Sequence, residues 1–286
     1  MSICINDCVL ICNGEIYNYK NLYDILSIDP STNSDCEVII HLYLKYGIEQ
    51  TLIMLDGVFS FALYDRKNDL LHISRDPYGI RSLFMYYDNQ KIAFASEAKS
   101  LVQLFPLLNQ NRYVYHFDEY VIQQFNPGHL LTFQKAYNEK WCQIYRCQYH
   151  KPNFSYKFVS YESSIESSYF PHISNYLNMA VIKRCQTTER PIACLLSGGL
   201  DSSLITALVV NYLKQNGIQK PMETYSIGLK GATDLKYAKL VADYLGTNHT
   251  EVIVTEQEMF DAIPSVIYAT ETYDTTTVRA SIGNYL

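Results

Sequence analysis

Between Cys194 and Ser203 the chain reads Cys-Leu-Leu-Ser-Gly-Gly-Leu-Asp-Ser-Ser, residue types and a spacing suited to holding phosphate. Adjacent glycines, Gly198 and Gly199, let the backbone bend sharply and come close to a ligand with no Cβ in the way. A helix opening at that bend presents unpaired N–H groups and the positive end of its dipole, which together attract phosphate. The hydroxyls of Ser197, Ser202 and Ser203 add donors to the same oxygens. Asp201 can hold a magnesium ion (Mg2+) against them. No lysine follows the glycines, so the loop is not of the Walker A kind. Taken alone, Gly-Gly reads mostly as a tight strand-to-helix turn capped by Asp201 or Ser202, and it is the full string after an apolar strand that favours the phosphate cradle.

The elements that position this loop follow from hydrophobic periodicity. Pro191 to Leu196 reads as a short buried strand, and Asp201 to about Lys214 as a helix. Around them a helix (Tyr169–Arg184), a strand (Met222–Ile227), a helix (Asp234–Leu245), a strand (Thr250–Val254) and a helix (Glu256–Ala269) alternate. That rhythm predicts an α/β fold with a doubly wound parallel sheet, the phosphate loop lying at the carboxyl end of a strand. Leu195 and Ile227 then stand at the ends of adjacent strands.

The first ~135 residues have a different rhythm, with short strands and two early helices. Cys8 to Cys12 is strand-like, and Asn13-Gly14-Glu15 reads as a turn. Asp35 to Tyr46 is helical, with Val38, Ile39, Leu42 and Tyr43 on one face. Gly57 to Tyr64 alternates as a strand with Phe59, Phe61 and Leu63 on one side. Further strands are expected at Leu70–Ser74, Ser82–Tyr87 and Lys91–Ala95, with strand-like material from Pro127 to about Tyr149. Such a density of strands predicts an α+β unit of stacked antiparallel sheets covered by helices. The chain thus divides into residues 1–150, a polar linker over 151–168, and residues 169–286.

With 286 residues, 48% hydrophobic and 18% charged, the chain suits a globular protein with a sizeable core. A net charge of −6 argues against nucleic acid as the main partner. No apolar run is long enough for a transmembrane helix, and the first residues lack the basic and apolar regions of a signal peptide. The eight cysteines form no Cys-x-x-Cys pair. Free, buried thiols in a reducing cytoplasm are therefore expected, Cys4 among them.

The Ser197–Ser203 string resembles the pyrophosphate loop of N-type ATP pyrophosphatases. In the first half, Asn13-Gly14-Glu15-Ile16-Tyr17-Asn18, Ser34-Asp35-Cys36-Glu37, Asp56 to Asp65, Arg75-Asp76-Pro77-Tyr78-Gly79-Ile80-Arg81 and Ala95-Ser96-Glu97-Ala98-Lys99 occur in that order. They resemble the class II glutamine amidotransferase domain, an N-terminal-nucleophile fold. Joined to the pyrophosphate loop, and followed by Glu271 to Ser281, they are similar to glutamine-hydrolysing asparagine synthetases.

The resemblance implies the roles. Asn13, by its side-chain amide, and Gly14, by its backbone N–H, would form an oxyanion hole. Glu15 and Asp35 would hold the α-ammonium of glutamine, as carboxylates free of a competing cation. Ser197, Gly198, Gly199, Asp201, Ser202 and Ser203 would bind the pyrophosphate of ATP, with Leu195 and Ile227 flanking the adenosine. Thr276 and Arg279 would lie near the acyl-adenylate, where a permanently charged guanidinium can grip phosphate. Arg75-Asp76 reads as structural. The implied reaction activates the side-chain carboxylate of aspartate as an adenylate. Ammonia from glutamine then gives asparagine, AMP and pyrophosphate.

The chain also departs from that pattern. It begins Met1-Ser2-Ile3-Cys4 rather than with Cys-Gly-Ile, and the arginine expected for the glutamine carboxylate is missing. It stops at Leu286 before a Ser-Gly-Glu-Gly string. The expectation is a synthetase truncated at both ends, without its nucleophilic cysteine, its missing parts coming from another polypeptide or its assembly a homodimer. A non-catalytic nucleotide-binding remnant is the alternative. A sister enzyme such as β-lactam synthetase is disfavoured by Asn13, Glu15 and Asp35.

Overall fold

The computed structural model describes residues 2–87, 91–102, 122–137, 140–152 and 166–286. Two compact units divide the chain, Met1–Phe158 and Val159–Leu286. The linker expected over 151–168 lies mostly outside the described residues.

In the first unit, β1 (Ser2–Ile5), β2 (Cys8–Ile16), β3 (Gly57–Asp65), β4 (Leu70–Arg75), β8 (His129–Lys135) and β9 (Trp141–Gln148) form one antiparallel sheet in that order. A second antiparallel sheet has the order β6 (Ile92–Ala95), β5 (Phe84–Tyr87), β7 (Gln123–Gln124). Helices α1 (Tyr19–Leu26), α2 (Val38–Tyr46) and α3 (Ile48–Met54) cover the large sheet, with a short 3₁₀ turn at Asp35–Glu37 before α2. The strand period of two sets this packing. Leu10, Ile16, Phe59, Phe61 and Leu63 meet Leu22, Val38, Ile39 and Leu42 in one cluster. Ile73, Leu131 and Phe133 turn to the other face and join Met85 and Phe94 of the small sheet. The helical cover thus exceeds the two helices expected.

Two expectations fail here. Asn13-Gly14-Glu15 is not a turn: β2 runs straight through it, paired with Ser60, Phe59 and Val58 of β3. Turn propensity yields to the ladder because Gly14 has no side chain. A Cβ there would stand 2.5 Å from the Val58 carbonyl oxygen. Cys4 is exposed on β1, at the edge of the sheet, rather than in the core. All eight cysteines are unpaired, but only Cys8 and Cys36 are buried.

The second unit is a parallel three-stranded sheet, β10 (Ala193–Leu195), β11 (Glu223–Leu229), β12 (Asn248–Val254), in that order. Helices α4 (Glu166–Thr187), α5 (Leu200–Gln215), α6 (Thr233–Leu245) and α7 (Glu256–Thr270) alternate with the strands. All pairings in this sheet are parallel, and its strands follow one another in chain order. Thr255 opens α7 with a capping box: its hydroxyl accepts the Glu258 N–H while Glu258 accepts the Thr255 N–H. A further helix, α8 (Thr275–Tyr285), goes beyond the expected elements. Its β-branched Thr run hides it, although Asp274 gives the signal by accepting the Thr277 N–H at 2.8 Å.

Candidate functional sites

At the end of β10 the chain turns over Ser197-Gly198-Gly199 into α5. Gly198 has φ +78°, and a Cβ on it would fall 2.5 Å from the backbone nitrogen of Ala238 in α6. The bend is therefore pressed against that helix, which only glycine permits. The Ser197 and Ser202 hydroxyls lie 2.9 Å apart, and Ser202 also accepts the Ser197 N–H at 3.3 Å. Gly199 caps α5 with extended backbone, and no side chain caps the first-turn amides. They are left for a ligand. The Ser203 hydroxyl is buried without a hydrogen-bond partner, while Asp201 is exposed in the first turn of α5.

Beside the bend lies a cavity of about 300 Å³ lined by Leu195, Leu196, Ser197, Tyr225, Ile227 and Val252, with Asp234 and Leu235 of α6. Leu195, Ser197 and Ile227 thus share one hollow at the carboxyl ends of adjacent parallel strands, where α/β sheets bind ligands. The last turn of α8 closes it with Gly283, Asn284 and Leu286. Thr276 and Arg279 are not among the residues lining this hollow. Arg279 lines a separate, largely apolar groove of about 650 Å³ between α7 and α8, with Met259, Phe260 and Ile263. Thr276 is exposed in the first turn of α8. The helix carries both away from the hollow that its other end closes.

In the first unit, strand alternation puts Asn13 and Glu15 on one face of β2, while Gly14 faces inward. The Asn13 amide donates to the Ser96 hydroxyl at 3.1 Å. Asp35 accepts the Ile16 N–H at 2.6 Å. Glu15 is not free of a competing cation: Arg81 Nη2 sits 3.2 Å from its Oε1. Ser96 and Arg81 are the residues to which the sequence reading assigned no role. Both lie in strings singled out above, but neither string shows that it folds back onto β2.

The Arg75–Asp76 pair is structural. Asp76 accepts the N–H groups of Tyr78, Ile80 and Arg81, each at 3.0 Å, and that of Phe59 at 3.3 Å. Arg75 donates to the carbonyls of Gly79, Arg81 and Phe125 at 2.6 to 2.7 Å. Glu37 is another buried scaffold. Burial alone would raise its pKa, but hydrogen bonds from Thr32, Ser31 and His41 outweigh this and hold it at about 2.

Among the described residues no group of three or more His, Cys, Asp or Glu side chains could hold a metal. No helix there is long and apolar enough to cross a membrane.

The glutamine amidotransferase domain model matches residues 1–145, and the asparagine synthase model matches residues 172–286. Glutamine-hydrolysing asparagine synthetases of Mus musculus and Homo sapiens are each 39% identical over 96% of this chain and 49% of their own length. That of Gallus gallus is 38% identical over the same shares. The chain therefore spans about half the length of the curated relatives it matches. A solved glutamine phosphoribosylpyrophosphate amidotransferase from B. subtilis covers the whole chain at 12% identity and a TM-score of 0.41, too remote to add to the assignment. With an amidotransferase domain model followed by an asparagine synthase model, in the order of the motifs described above, the chain belongs to the glutamine-hydrolysing asparagine synthetase family.

Proposed function

We propose that this chain carries a glutamine-binding site in residues 1–150 and an ATP-binding site in residues 169–286, serving the amidation of aspartate to asparagine. One observation carries the reading: the bend at Ser197–Gly199 offers uncapped helix amides beside the hollow that Leu195 and Ile227 flank. The amides take phosphate oxygens, the hollow takes adenosine, and the Ser197 and Ser202 hydroxyls, 2.9 Å apart, hold the bend together. The three parallel strands are taken as part of a doubly wound sheet.

A magnesium ion fits this donor set. One carboxylate beside a phosphate cradle suits an ion that keeps its waters and binds substrate oxygens. Asp201 would hold it, and its charge offsets that of the phosphates. The protein's own residues orient the nucleotide, leaving the α-phosphorus open to the side-chain carboxylate of aspartate. Asn13 and Gly14 flank the place where a glutamine amide would be polarised, and Glu15 with Asp35 hold its ammonium. Ammonia released there would attack the aspartyl-adenylate, giving asparagine, AMP and pyrophosphate. The polypeptide works in the cytoplasm on glutamine, aspartate and ATP.

Titration of the folded protein with ATP and magnesium, followed by assay of aspartate-dependent pyrophosphate release, tests the proposal. Binding with release is expected from a chain that completes the synthetase chemistry. Binding without release identifies a nucleotide-binding remnant, and no binding removes the nucleotide site altogether.

A further inference from the structure

A chain of polar side chains in the second unit leads away from the nucleotide hollow. Ser226 of β11 lines that hollow and is buried. Its hydroxyl lies 3.0 Å from Nε2 of His249, which stands on β12 in register with Thr224. His249 Nδ1 lies 2.9 Å from the Thr224 hydroxyl, and that hydroxyl lies 2.8 Å from the Thr247 hydroxyl. Thr247 in turn donates to the Ala242 carbonyl of α6 at 3.4 Å.

A carbonyl can only accept, and each hydroxyl has one proton to donate. The proton directions therefore follow from the Ala242 end. Thr247 gives its proton to the carbonyl, so Thr224 donates to Thr247. Thr224 then has only lone pairs for the ring, and His249 Nδ1 carries the hydrogen. In the neutral imidazole Nε2 is left as an acceptor, so Ser226 donates to it. Only lone pairs of the Ser226 oxygen remain for the hollow. Asp234 also lines the hollow but is exposed, whereas the buried Ser226 meets the deep end of a ligand. The apolar side chains of Leu195, Ile227 and Val252 suit the faces of a purine.

We propose that Ser226 is a specificity-determining residue that accepts the exocyclic amine of adenine, and that His249 is the positioning residue that keeps the Ser226 proton turned away from the base. A purine with a carbonyl oxygen in place of the amine would set lone pairs against lone pairs. This rests on the nucleotide-site reading. Protonation of His249 reverses the arrangement, because both ring nitrogens then donate and the Ser226 proton turns into the hollow. Thr224 and Ser226, facing the ring from β11, carry no charge. Burial disfavours the charged ring, Glu251 on β12 and Asp243 of α6 favour it, and Lys239 of α6 opposes it. Burial prevails and holds the His249 pKa below the ordinary histidine value.

The test titrates the whole chain calorimetrically, in magnesium, with three ligands. These are ATP, ITP, which carries a carbonyl oxygen in place of the amine, and purine riboside triphosphate, which has neither. Ser226→Ala is expected to weaken ATP by about tenfold, the worth of one hydrogen bond, and to leave purine riboside triphosphate within about twofold. As pH falls below about 6.5, the ratio of ATP to ITP affinity should drop in the unsubstituted protein. It should stay flat in His249→Gln, whose amide oxygen can accept from Ser226. The ratio cancels the phosphate ionisation that both ligands share, and circular dichroism checks that each variant is folded. Equal loss of ATP and purine riboside triphosphate in Ser226→Ala, or no loss, overturns the amine contact. A ratio independent of pH in the unsubstituted protein overturns the role of His249, whichever variant folds. Both results leave the nucleotide site standing, whereas failure of the folded, unsubstituted chain to bind ATP overturns it as well.

Discussion

Replacing Gly198 and Gly199 by alanine, one at a time, separates what holds the phosphate bend in place from what it is for. At Gly198 the backbone has φ +78°, a region that costs an alanine about 1–2 kcal/mol. The added Cβ would also lie 2.5 Å from Ala238 N and 2.6 Å from Tyr237 C. These are backbone atoms of α6, so no side-chain rotation relieves the overlap. Ala238 is fully buried in a cluster with Leu196 and Ala242, so moving the helix opens that cluster. Together these terms give a loss of about 3 kcal/mol for Gly198→Ala. Gly199 differs: its φ is −73°, and the nearest atom to an added Cβ is the Ser197 hydroxyl at 3.4 Å. Alanine is a poorer N-cap than glycine but restricts the unfolded chain, and the two effects nearly cancel to within about 0.5 kcal/mol. Its methyl group would nevertheless stand among the amides that face the ligand. The expected outcomes therefore cross. Gly198→Ala accelerates amide hydrogen exchange through β10 and α6, whereas Gly199→Ala leaves exchange unchanged and weakens ATP binding. Native-like exchange in Gly198→Ala would refute the reasoning about the bend. Undiminished ATP affinity in Gly199→Ala would refute the reasoning about the ligand.

Burial holds the His72 pKa at about 4, against about 6.5 in an unfolded chain, so the folded state binds fewer protons between these values. Its share of stability is complete above about pH 6.5 and is lost as pH falls to about 4, a change of about 3 kcal/mol. Urea midpoints followed by Trp141 fluorescence should decline over that window and decline less steeply in His72→Gln. Asp76→Ala leaves three amides without the acceptor they share at 3.0 Å, at a cost of about 3 kcal/mol or more; an unchanged unfolding midpoint would count against it. Asp201→Asn keeps the helix opening but removes the carboxylate, so ATP affinity should fall in magnesium and stay close to that of the unsubstituted protein in EDTA. Thr255→Ala removes the capping box of α7 and should destabilise the second unit by about 1 kcal/mol, read as faster exchange of that helix.

Sequence periodicity by itself determined most elements, because alternation and helical spacing are written locally. Phe59, Phe61 and Leu63 had to face one side of a strand, and Leu196-Ser197-Gly198-Gly199 had to end a strand and open a helix. The reason for Gly198 was only half visible. A turn suffices to suggest glycine, but the requirement comes from α6, about forty residues further on, whose backbone occupies the space of a side chain. Asn13-Gly14-Glu15 shows the opposite case, a local turn signal overruled by a partner strand that has no trace in those three residues. Periodicity could not show that Arg81 would lie against Glu15, since a buried pair on β4 and the turn after it fixes that geometry. Nor could it show that Arg279 faces the α7–α8 groove, because the direction of α8 depends on how it packs against α7. Local sequence chooses a backbone conformation, while contacts between distant segments decide which side chains share a site.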